Sequence, residues 1–149
     1  MGNESWDDAD DARVVFETTP MGHPTRVATE FFANLIGGNL HEVELRAFIT
    51  PESWAGWGDF EWIRSRLTEA DRPVISSGIE IAAPDVVYVP VLKGYDGPGY
   101  VQPGEKVDVV GVFTMVWRPD AGGWLAFGFG YPASLSDIPR TSPGVAPPL

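Results

Sequence analysis

The chain has 149 residues, enough for one domain, and 44% of them are hydrophobic, enough to bury a sizeable core. It has no cysteine, which excludes disulfides, thiolate metal sites and cysteine nucleophiles. The 10 basic residues stand against 21 acidic ones, a net charge of −11. That balance argues against nucleic acid as a partner, because affinity for a phosphate backbone comes mostly from Lys and Arg.

The N-terminal residues 1–11 carry Glu4, Asp7, Asp8, Asp10 and Asp11 and read as an acidic flexible head. They lack the basic-then-apolar order of a secretory signal, and Trp6 stands where a myristoylation pattern needs Ser or Thr. No apolar run approaches the roughly 20 residues of a membrane-spanning helix. The expectation is a cytoplasmic protein with no membrane partner. Residues 12–138 read as a single domain and residues 139–149, with four prolines, as a Pro-rich tail.

Residues 13–18 fit a short strand. From Pro24, the positions Ala28, Phe31, Phe32, Leu35 and Ile36 follow the apolar stripe of a helix, which Gly37-Gly38 ends. A second helix fits 40–48, with Leu40, Val43, Ala47 and Phe48 on one side. Thr50-Pro51 reads as a cap followed by an N1 proline, and Gly56 and Gly58 interrupt that helix. Asp59 can cap a further helix that buries Phe60, Ile63 and Leu67 and leaves Arg64, Arg66 and Glu69 in water.

After Pro73 the period becomes two. Strands are expected at 74–82, with Ile75, Ile79 and Ile81 on one face, and at 85–92, where Pro90 demands an edge or a bulge. A Gly/Pro-rich connection over 93–104 leads to a long strand at 105–118. The turn Pro119–Gly123 then returns the chain along 124–131. Helices followed by hairpin-linked strands define an α+β fold, with helices packed in the concavity of a curved antiparallel sheet.

This order of elements carries a resemblance. The amphipathic helix, the Gly-Gly-Asn-Leu break, the segment Phe48-Ile49-Thr50-Pro51-Glu52 and the Trp-ended hairpin from Met115 to Phe129 resemble the nuclear transport factor 2-like (NTF2-like) superfamily, over about residues 24–132. That group includes SnoaL-like and ketosteroid-isomerase-like proteins. The resemblance implies a cone, a bent sheet wrapped round a long helix with a pocket at its open end, and commonly a homodimer. It does not fix a function, since the fold hosts enzymes and binding modules alike.

Six tryptophans are the most unusual feature of the composition. Trp54, Trp57 and Trp62 crowd together with Phe60, on the segment that would cover the mouth of the cone. The expected wall of an apolar pocket is Phe31, Leu35, Trp54, Trp57, Phe60, Trp62, Phe113, Met115, Trp117 and Phe127, with Trp57 as a lid between two glycines. The alternative is that these side chains simply fill the core. On the long strand, odd positions suit the concave face. The even positions Val110, Val112 and Val116 suit an outer face in need of a partner, read here as a second copy.

Chemistry is harder to place. His23 and His41 stand far apart, with no metal-ligand spacing, and the catalytic residues are unknown. No cofactor or metal is implied: Gly128-Phe129-Gly130-Tyr131-Pro132-Ala133 fits a dinucleotide fingerprint only until Pro132 forbids the helix that must follow. Isomerase-type chemistry needs a carboxylate base and an oxyanion donor in an apolar pocket. Asp59 and Glu61 are the candidate bases, but the first helix presents Phe31, Phe32 and Leu35 where a hydroxyl is needed. Three readings follow: a noncatalytic module that binds a small apolar or aromatic ligand, an enzyme of the same fold with a lone pocket carboxylate, and a protein-interaction module with a filled cone.

Overall fold

The computed structural model describes residues 22–38, 40–70, 72–76, 78–94 and 108–140. The acidic head, the strand expected at 13–18 and nearly all of the 93–104 connection lie outside them. The architecture is α+β, with helices packed against a strongly curled antiparallel sheet.

Helix α1 spans Pro24–Gly37. His23 caps it by accepting the Thr25 N–H at Nδ1 (3.1 Å), and Pro24 takes the first turn, where its missing N–H costs nothing. Gly38, at φ 65°, ends it by donating its N–H to Asn34 O. Ala28, Phe31 and Leu35 form the buried line, while Phe32 and Ile36 lie at its margin.

The helix expected at 40–48 divides. Helix α2 covers Glu42–Leu45 and tightens into a 3-10 turn at Arg46–Phe48. Glu44 accepts the His41 N–H (3.2 Å), so the helix starts at Glu42. This phase buries Leu45 and leaves Val43, expected inside, 75% exposed.

Thr50 precedes a 3-10 turn at Pro51–Ser53, which runs into α3, Trp54–Trp57. Gly58 at φ 58° and Phe60 at φ 67° turn the chain into α4, Glu61–Glu69. The N-cap is Phe60 rather than the expected Asp59, which stands one residue earlier and accepts the Glu61 N–H (3.1 Å), and Phe60, Ile63 and Leu67 are buried. The two arginines do more than face water. Arg64 donates to Leu35 O and Leu40 O, covering carbonyls at the end of α1, and Arg66 donates twice to Val110 O.

The sheet order is β1-β3-β4-β5, with β2 also paired to β3. The strands are β1 Val74–Ile75, β2 Glu80–Ala83, β3 Val86–Leu92, β4 Val109–Arg118 and β5 Gly123–Gly130. The single strand expected at 74–82 is therefore broken, and Ile81 is exposed rather than sharing a buried face with Ile75. Pro90 accounts for the break. Its carbonyl accepts the Ser76 N–H (2.9 Å), so the N–H it lacks would point to the same side, where the neighbouring strand is interrupted between Ile75 and Glu80.

The concave face holds the main core, built from Phe31, Leu45, Trp57, Phe60, Ile63, Val89, Phe113 and Met115 among others. The outer face has its own cover. Residues 133–140 lie across it as a strap, with Ile138 packed on Val86 and Val116. Tyr88 donates to Ala133 O (2.6 Å), and Ala133 N–H donates to Thr114 Oγ1 (3.0 Å). Val116, expected in a contact between two copies, is fully buried by the chain's own C-terminal segment. The expected tail boundary after 138 also falls inside the strap, because Pro139 and Arg140 are anchored: Arg118 donates to Pro139 O (2.7 Å), and Arg140 grips Asp85.

Candidate functional site

Phe31 organises the interior. Its ring lies 5.3 Å from Phe48, 5.4 Å from Trp57, 6.1 Å from Phe60 and 5.7 Å from Phe113, in stacked, edge-on and tilted pairs. Phe31, Leu35, Phe60, Phe113 and Met115 are at most 1% exposed, so these five expected wall residues meet one another rather than a space open to water.

Trp57 is a fixed wall rather than a moving lid. It is 2% exposed, and its indole N–H donates to Ser53 Oγ (3.0 Å). Ser53 Oγ in turn donates to Thr50 O (2.8 Å), which ties the indole to the start of the turn. Trp62, 42% exposed, stacks on it at 5.9 Å and donates its indole N–H to Trp57 O (3.1 Å). The far side of Trp62 approaches Phe129 at 6.4 Å. The ring position is thus set by two aromatic neighbours and one hydrogen bond, while part of its surface stays open.

Two surface grooves share Trp62. The larger, about 610 Å³, is lined by Trp62, Arg66, the β4 segment Val109–Val112, and Gly130, Tyr131 and Pro132. The smaller, about 470 Å³, lies between Ser53, Gly56, Trp57 and Trp62 on one side and Phe127, Gly128 and Phe129 on the other, with Glu52 among its lining residues. The structure therefore brings Trp57, Trp62 and Phe127 together. It separates Trp54, which lies under the Arg46 guanidinium (5.0 Å), and Trp117, which pairs with Trp124 (5.7 Å).

Phe129 is the site residue that sequence reasoning passed over. A bulge in the β4–β5 ladder between Thr114 and Met115 shifts the alternation of β5. Phe129 then falls on the concave face, 4.7 Å from Phe113, while Phe127 packs with the outer cluster. Gly111 was the available signal: a Cβ there would lie 2.4 Å from the Phe129 ring, so only glycine admits it.

Of the candidate bases, Asp59 is exposed and accepts the Glu61 N–H, and Glu61 is exposed, 3.9 Å from Arg64. Neither lines either groove. Glu52 does, but both its carboxylate oxygens accept from Arg118, at 2.9 and 2.5 Å. Burial pushes the Glu52 carboxyl up, and its hydrogen bonds to Arg118, a backbone N–H and Thr50, together with the Arg118 charge, outweigh that and hold it below its ordinary value. A carboxylate so held is a weak base. His23 is shifted down by burial and spends Nδ1 on its cap.

Among the described residues no helix is long and apolar enough to cross a membrane, and no group of three or more His, Cys, Asp or Glu is placed to hold a metal ion. Comparison with known proteins gives no match to a family profile, a curated protein or a solved structure. What the fold and site define is a helix-filled, curled-sheet α+β protein with an aromatic surface site centred on Trp62.

Proposed function

We propose that this protein is a noncatalytic binding module of the NTF2-like superfamily, and that it holds a small, flat, apolar or aromatic ligand against Trp62 in the groove of about 610 Å³. The observation that carries this reading is the state of Trp62: its ring is positioned by Trp57 and Phe129, its indole N–H is already satisfied, and 42% of the residue remains exposed. A preorganised aromatic face loses little freedom on binding. The rest of the groove suits the same ligand. Val109, Val110 and Val112 supply apolar floor, and the Arg66 guanidinium, held on Val110 O, supplies one fixed positive group for a carbonyl or carboxylate on the ligand.

The test is a thermal-shift and fluorescence titration with indole, naphthalene and 2-naphthoate. At a hundredfold excess over Kd a ligand specific for the folded state adds about 2.7 kcal/mol of stability. The expected result is a shift for wild type that is lost in Trp62→Ala. No shift with any of the three, or a shift that survives in Trp62→Ala, overturns the reading.

A second reading, a protein-interaction module, is favoured by one observation: the interior expected to form a pocket wall is filled by its own aromatic rings. It differs in its readout, since an interaction surface binds peptides while the three small probes leave the melting temperature unchanged.

A further inference from the structure

We infer that the smaller groove receives an extended peptide from another protein, apolar at its centre and basic at its flanks, which adds a strand to the free edge of β5 at Phe127–Gly130. The inference uses the other groove at Trp62 and does not rest on the small-ligand reading.

β5 ends the sheet order, so among the described residues one of its edges has no named strand beside it. The chain itself begins to extend that edge and then stops. Ile49 forms a parallel bridge with Ala126, and Thr50 N–H donates to Ala126 O (3.0 Å). Pro51, which has no N–H, then carries the chain away into a 3-10 turn. Beyond that point, among the described residues, the backbone of Phe127–Gly130 makes ladder bonds to β4 alone. The register from Gly128 to Gly130 is continuous with Thr114 to Val112, so pairing with β4 is unbroken past the bulge up to Gly130, where φ turns to 124°.

Natural edges are usually protected by Lys, Pro or inward charges. The segment Phe127–Gly130 has none, and two of its four residues are glycine. Instead of cover it has a facing wall: Ser53, Gly56, Trp57 and Trp62 stand across about 470 Å³ of open groove. A groove between a bare strand edge and a helical wall is the setting for strand addition, in which main-chain hydrogen bonds supply affinity and alternate side chains enter a pocket. At roughly 3.3 Å per residue, the four edge residues pair with three or four residues of a guest. A guest side chain on the helix side meets the Trp57–Trp62 stack.

Charge selects the guest. The net charge is −11, and because Glu52, the acid that lines the groove, is neutralised by Arg118, the attraction comes from the field of the whole chain. A basic peptide is steered in, whereas a second copy of this chain brings the same negative charge and is repelled.

The probe is a phage-displayed random dodecapeptide library selected on the full chain, with Gly128→Lys, which repels a basic guest, as the counter-target. A side chain at Gly128 meets nothing within 4 Å, so this variant should keep the fold while placing a bulky charge in the groove; near-UV circular dichroism checks that it does. The expected yield is peptides with alternating apolar positions and Lys or Arg flanks that bind wild type at least tenfold better than the variant. Saturation with the best peptide should slow amide exchange within Phe127–Gly130 at least tenfold and shift the Trp62 indole resonance. A copy of that peptide N-methylated at alternate backbone nitrogens should lose at least tenfold in affinity, a control on wild-type protein that is independent of any variant's folding. The proposal is overturned by any of four results: no enrichment over the variant, an acidic consensus, equal binding of the N-methylated peptide, or sedimentation showing that the edge is occupied by a second copy.

Discussion

Asp85 and Arg140 close the outer face of the sheet as a bidentate pair. Asp85 is 0% exposed, and its Oδ1 and Oδ2 accept from the Arg140 guanidinium at 2.6 and 3.0 Å. These residues lie 55 positions apart, one in the β2–β3 turn and the other at the end of the strap. The hydrogen bonds to Asp85 raise the Arg140 pKa, against a smaller opposing effect of burial, so the guanidinium stays charged at any ordinary pH.

Removing Arg140 takes two charge-assisted hydrogen bonds from a buried carboxylate, which costs more than removing both members of the pair. Arg140→Ala should therefore lower the urea midpoint, and Asp85→Asn combined with Arg140→Ala should recover part of the loss. Equal midpoints for wild type and Arg140→Ala would show that the strap is not held by the pair.

The strap also buries Ile138 on Val86 and Val116. Ile138→Ala should cost about 2 kcal/mol, at the low end for a large-to-small core change because the cluster is small. The measurement is chemical denaturation of the full chain.

Trp57 and Trp62 are neighbours of unequal weight. Trp57→Ala removes a buried ring and a hydrogen-bonded indole, and should cost about 3–5 kcal/mol. Trp62→Ala removes a half-exposed ring and should cost well under that. The order of the two urea midpoints checks the assignment of wall and open face.

Gly111 makes room for Phe129, whose ring is hemmed in by Phe113 and Trp62. Gly111→Ala should destabilise by about 1–3 kcal/mol through overpacking. Adding Phe129→Leu should relieve part of that cost, a non-additivity read in a double-mutant cycle.

Two groups contribute to the acid side of the stability profile with opposite causes. His23 has its pKa lowered from 6.5 by burial, so the folded chain binds fewer protons than the unfolded one below about pH 6.5, and stability falls as pH drops through that region. Glu52 is held below its ordinary 4.5, so its contribution is present above that value and is lost as pH falls through the folded one. Melting curves at about pH 7.5, 5.5 and 3.5 separate them. His23→Asn, which preserves a capping side chain, should flatten the first interval, and Glu52→Gln the second.

Local chemistry wrote much of this structure plainly into the sequence. The Pro24 start and Gly38 stop of α1, the buried Phe60, Ile63 and Leu67, and the hairpin around Pro119–Gly123 all depend on neighbours within a few residues, and all stand where the sequence predicts them. The need to cover Val116 was legible too, although the row of three outer valines was not kept: a bulge between Val91 and Leu92 turns Val110 towards the main core. The cover of Val116 was not legible: Ile138 packs there because Tyr88, Thr114, Arg118 and Asp85 hold the strap through partners 19 to 55 positions away, and no local pattern encodes such pairs.

The site divides the same way. A tryptophan cluster at 54–62 announces itself in composition, but its arrangement is tertiary. One bulge in β5 puts Phe127 and Phe129, which a regular strand would hold on one face, on opposite faces, since a one-residue slip in a period of two reverses every side chain beyond it. Whether aromatic residues line a pocket or fill a core depends on how closely α1, α3 and β4 approach. Here they close on Phe31, and the open aromatic surface is left at Trp62.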